Sequence, residues 1–143
     1  MFIYNAIVMK HLFTIVLATS LFFVSTSCQN SQKNTSGYSE LSVSESPEGK
    51  WQANDATLQG IRNMELLVKQ SEERPGTTGL KELLGMEYKE IFKKCTMTGE
   101  AHNALHDYLF PLKERIDGLS DPPTMDELKE IEGYLAAFDN YFE

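Results

Sequence analysis

A chain of 143 residues with 21 acidic and 13 basic side chains carries a net charge of −8. That balance excludes the clustered Lys and Arg on which nucleic-acid binding depends. The length suits one small domain with flanking segments.

The first 27 residues read as a secretion signal. Lys10 and His11 give a weakly basic start, residues 12–24 form an apolar run, and Ser25, Thr26 and Ser27 supply the small residues of a cleavage site. Met9-Lys10 reads as the natural start, which would make residues 1–8 an over-long gene prediction. The run is shorter than the about 20 apolar residues that span a bilayer.

Directly after the small residues stands Cys28. This layout resembles the lipobox of bacterial lipoproteins, although a leucine is usual where Ser25 stands. The other reading is an ordinary signal peptide with a chance cysteine. The resemblance implies that Cys28 becomes the acylated first residue of the mature chain. Acyl chains bury about 0.8 kcal/mol per CH₂, so the partner would be a lipid bilayer, held without a transmembrane helix. The protein would then be exported and would face the periplasm or the cell surface. Losing residues 1–27, which hold one Lys and no acid, takes the charge from −8 to −9. With Cys28 acylated, Cys95 is a lone thiol and no internal disulfide can form.

Residues 28–50 follow as a segment rich in Ser, Asn, Gln and Glu. Its low hydrophobicity predicts a disordered tether.

From Trp51 the period becomes helical, and residues 51–143 are expected to form the folded domain. Helix 1 starts near Asn54 or Asp55 and carries Leu58, Ile61, Met64, Leu67 and Val68. Arg74-Pro75-Gly76 ends it. Helix 2 starts at Thr77 or Thr78, with a stripe of Leu80, Leu83, Leu84, Tyr88, Ile91, Phe92 and Cys95. Helix 3 carries Ala101, Leu105, Tyr108, Leu109, Leu112, Ile116 and Leu119, with Pro111 inside it. Pro111 lacks the N–H that would bond the Asp107 carbonyl, so a bend is expected there. Helix 4 opens with Thr124-Met125-Asp126-Glu127, a capping-box pattern, and continues through Leu128, Ile131, Leu135, Phe138 and Phe142. That 3-4 spacing suits a bundle seam. No segment alternates long enough for a strand. The expected fold is all-α, an antiparallel up-down four-helix bundle.

One stretch carries possible chemistry. Cys95, Met97, His102 and His106 gather the thiol, both histidines and one thioether of the expected domain within twelve residues. His102 and His106 are one helical turn apart, with Cβ atoms about 5–6 Å from each other. Neutral imidazoles so placed can share one ion, and Cys95 leads back toward them across the turn. The set suits zinc or copper, and the soft thioether tilts it toward copper(I). The competing reading is packing, since Cys95 falls on the apolar stripe and both histidines lie at its border. The spacing lacks the paired ligands at both ends that mark the stronger zinc patterns.

The segment Cys95-Thr96-Met97-Thr98-Gly99-Glu100-Ala101-His102-Asn103-Ala104-Leu105-His106 resembles a motif of small helical exported proteins of Bacteroidetes-type bacteria, Cys-Thr-Met-x-Gly-x-Ala-His-x-x-Leu-His. The resemblance implies a helical lipoprotein or periplasmic protein and no established activity. No haem-attachment motif, phosphate loop or hydrolase signature occurs, so haem, nucleotide and an enzymatic role are not expected. The sequence therefore points to a membrane-anchored lipoprotein that binds copper or zinc through Cys95, His102, His106 and Met97. The alternative is a structural or protein-interaction lipoprotein whose Cys and His pack the bundle end.

Overall fold

Helices form where the apolar spacing asks for them. The computed structural model describes residues 38–143. The signal expected over 1–27, Cys28 and residues 29–37 of the tether lie outside the described residues. Four α-helices follow in order: α1 Asp55–Glu72, α2 Leu80–Lys94, α3 Gly99–Gly118 and α4 Met125–Ala136. A 3-10 turn, Ala137–Asn140, follows α4. Isolated bridges are the only β pairing among the described residues, so the domain is all-α. None of the described helices is long and apolar enough to cross a membrane.

The core is one cluster drawn from all four helices. Ile61, Met64 and Val68 of α1 meet Leu80, Leu84, Tyr88 and Ile91 of α2, Leu105, Tyr108, Leu109, Leu112 and Ile116 of α3, and Leu128, Ile131, Tyr134 and Leu135 of α4. α1 packs on α2 and α4, and α3 also packs on α2 and α4. The α1–α2 seam closes tightly because position 60 is glycine, where a Cβ would overlap the buried Ile91 side chain. On α4 the seam read from the 3-4 spacing is buried throughout. The α-helix itself stops at Ala136, so Phe138 sits on the 3-10 turn and Phe142 beyond it. Tightening to about 3 residues per turn lets both rings keep facing the core. They stack on each other at 4.6 Å.

Helix starts follow local chemistry. Asn54 occupies the N-cap of α1, but its amide is spent elsewhere. It accepts from the Thr57 hydroxyl at 2.7 Å and donates to the Lys94 carbonyl at 3.2 Å, tying α1 to the end of α2. α2 begins later than Thr77 or Thr78, because Gly79 with φ 86° turns the chain in the left-handed region just before Leu80. At α4 the capping box is present in both directions between Thr124 and Glu127. α3 runs unbroken through the buried Pro111. Phe92 and Leu83, placed on the apolar stripe by periodicity, are 37% and 41% exposed. The stripe of α2 is wider than its neighbours cover, so its two margins face out.

From Tyr38 to Lys50, where composition suggests a free tether, the chain is laid along the helical domain. Ser39 donates its N–H and its hydroxyl to the Glu114 carboxylate, at 2.9 and 3.1 Å. Those bonds, the N–H first, hold the Glu114 carboxyl below the usual carboxylate range. Leu41 and Val43 pack against the core cluster. The Tyr38 ring occupies the space that a Cβ at Gly118 would fill. Trp51 then pairs with the C-terminus. Its N–H donates to the Tyr141 carbonyl at 2.7 Å, and its own carbonyl accepts from the Glu143 N–H at 2.9 Å. The physical reason is alternation: Leu41 and Val43 face the helices while Ser42 and Ser44 face water.

Arg115 organises this contact. It is 6% exposed. One of its Nη1 bonds goes to the Pro111 carbonyl at 3.0 Å and another to the Ser39 carbonyl at 3.2 Å. Its guanidinium lies 4.3 Å from the Tyr134 ring centre and 5.3 Å from that of Tyr38. Nε faces the Glu130 carboxylate at 3.7 Å without a hydrogen bond. A guanidinium tolerates such a site because it is weakly hydrated and stacks on aromatic faces.

Candidate functional site

The two histidines are brought together. Both lie on the first two turns of α3, four residues apart and partly exposed. Their Nε2 atoms are 3.1 Å from each other. Two arrangements fit that distance. One ring can donate a proton to the other, or both lone pairs can face one cation. In the second case, metal–nitrogen bonds of about 2.0–2.1 Å meeting at about 100° span the separation. The ring centres are 4.4 Å apart and the planes are tilted by 72°, so the rings do not stack face to face.

Cys95 and Met97 occupy the link between α2 and α3. Both are partly buried and pack against the core cluster. Among the described residues, no three His, Cys, Asp or Glu side chains converge into a group that could hold a metal ion. The structure therefore pairs His102 with His106 and seats Cys95 and Met97 against the apolar interior.

Around the pair lies an aromatic collar. Phe92 on α2 meets the His106 ring edge-on at 5.4 Å, and Phe110, one turn further along α3, does so at 5.2 Å. Tyr88 extends the row, 5.0 Å from Phe92. Phe110 is 55% exposed. Sequence reasoning missed Phe110 as a site residue, and its signal was the step of four from His106. Both rings contact His106, which stays partly exposed. No protein-family model matches the chain. Neither a curated protein nor a solved structure matches it significantly.

Proposed function

We propose that this chain is an exported lipoprotein, anchored to a bilayer through acylated Cys28, whose helical domain binds copper or zinc at a cluster centred on His102 and His106. The observation that carries the metal reading is the 3.1 Å separation of the two Nε2 atoms. Two borderline nitrogen donors held that close on one rigid helix need little reorganisation to accept an ion. Cys95 and Met97 are the softer donors nearby in sequence, and each would have to leave its core contact to join. Sensing, buffering or transfer of the ion are the roles open to such a site. The anchor reading is supported by the apolar run and small residues before Cys28. The antiparallel up-down arrangement of the bundle is supported by cross-helix contacts that join the start of one helix to the end of the next. Asn54 meets Lys94, and Lys81 meets Asp117.

The test is calorimetric titration of the reduced full chain, in detergent, with Cu(I) and Zn(II). Wild type should bind one of them far more tightly than His102→Ala does, and binding should weaken on acidification because protons compete for the same lone pairs. Equal, weak binding by both proteins overturns the metal reading. A second reading, a protein-interaction lipoprotein, draws on the exposure of Phe92 and Phe110.

A further inference from the structure

We infer that the ion is shared between two copies of this chain, each supplying His102 and His106, so that one zinc with four imidazole ligands bridges two domains. The inference rests on the metal reading above and names the partner that completes the site.

Zinc in a closed site takes four ligands in a tetrahedron. One copy brings two, both from one face of α3 and both through Nε2. Two positions of the tetrahedron are left for other ligands. Cys95 and Met97 are engaged with the core cluster. A two-residue set on a partly exposed face is therefore half of a site, and a second identical half completes it.

Symmetry favours this completion. A two-fold axis through the ion uses the same patch on both copies, the commonest form of association between identical chains. The same axis brings the collars of Phe92 and Phe110 onto one another, and both rings are exposed in the single copy. Aromatic residues around a desolvated centre are the usual anchors of an interface. Electrostatics opposes the pairing, since each full chain carries −8, and −9 once residues 1–27 are lost. The ion places two positive charges on the axis, and at physiological salt charges further apart than about 8 Å are largely screened. Local coordination therefore outweighs the distant repulsion.

The experiment titrates zinc chloride into the full chain in detergent and reads two quantities. Calorimetry gives the zinc-to-chain ratio, and sedimentation at matched detergent density gives the protein mass. The expected result is one zinc per two chains with a doubling of protein mass, reversed by a chelator and absent in His102→Ala and His106→Ala. Both histidines are partly exposed, so these variants should keep the wild-type circular dichroism. Phe110→Ser should weaken the dimer while leaving the helical content unchanged. One zinc per chain on a monomer overturns the sharing and leaves the metal reading standing; loss of that zinc in Cys95→Ser would then identify the thiol as the third ligand. A dimer that persists in both histidine variants also overturns it. No zinc binding overturns the sharing, and the metal reading falls with it when Cu(I) is not bound either.

Discussion

Tyr108 and Tyr134 each donate a hydroxyl to the other's backbone carbonyl. The Tyr108 hydroxyl reaches the Tyr134 carbonyl at 3.0 Å, with the Leu135 carbonyl at 3.3 Å, and the Tyr134 hydroxyl reaches the Tyr108 carbonyl at 2.8 Å. The rings are 5.0 Å apart across the α3–α4 seam. Two polar groups are thus taken into the core with their hydrogen bonds satisfied, and they fix the register of the two helices. Tyr134 also carries the Arg115 guanidinium on its face, so one ring links the core to the N-terminal segment.

Removing either hydroxyl should cost about 1 kcal/mol, the net worth of an ordinary intramolecular hydrogen bond. Tyr134→Phe keeps the ring under Arg115 and isolates the bond itself. Burial raises both phenols above the usual tyrosine value of 10, Tyr108 well above it. The unfolded chain therefore loses these protons first as pH rises, and stability should fall above about pH 10. Denaturant unfolding of wild type and the two Phe variants, followed across alkaline pH, checks this. An unchanged midpoint in both variants would remove the pair from the account of stability.

At Gly60 two effects oppose each other. Alanine would improve helix propensity by up to about 1 kcal/mol. Its methyl would overlap the Ile91 side chain, which is 1% exposed and enclosed by the core. Overpacking of this kind costs about 1–3 kcal/mol. Gly60→Ala should therefore destabilise by about 1–2 kcal/mol, read from the thermal midpoint. A stabilised variant would mean that α1 and α2 part without cost.

Position 118 predicts the opposite balance. A Cβ there meets the outer end of the Tyr38 ring, which is partly exposed and can swing away. Gly118→Ala should leave global stability within about 1 kcal/mol of wild type, since helix propensity offsets the lost contact. It should release the segment around Ser39 from Glu114, raising amide exchange at Ser39 and proteolysis over residues 38–43. Exchange at Ser39 equal to wild type would show that Tyr38 does not hold the segment.

How much of this was legible in the sequence depends on range. The α4 seam and the Thr124–Glu127 box rest on residues three or four apart, and both stand in the structure where the spacing put them. The approach of His102 and His106 is equally local. The contact of Tyr38 with Gly118 spans 80 positions of chain, and no periodicity reports it. The one local hint was the alternation of Leu41-Ser42-Val43-Ser44, outweighed in composition by the serines around it. The exposure of Phe92 was hidden for a related reason. A stripe tells which residues are apolar, and only the neighbouring helices decide how much of it they cover.

Glu127 closes the loop before α4. Its carboxylate accepts from the Thr124 N–H at 2.7 Å, the Thr124 hydroxyl at 2.8 Å, the Ser120 N–H at 3.0 Å and the Ser120 hydroxyl at 2.8 Å. Burial alone would raise this carboxyl, but the four donors outweigh it and bring it from the usual 4.5 down to about 2. The folded value lies below the unfolded one, so the stabilisation is complete above about pH 4.5 and is lost as pH falls toward 2. Glu127→Ala should cost about 0.5–1 kcal/mol at neutral pH, the lower part of the range for lost caps, because solvent screens a group this accessible. The difference between variant and wild type should then shrink on acidification through that window. Urea unfolding of both proteins between pH 6 and pH 2 measures it, and a difference that stays constant with pH would show that the charged carboxylate contributes nothing to the cap.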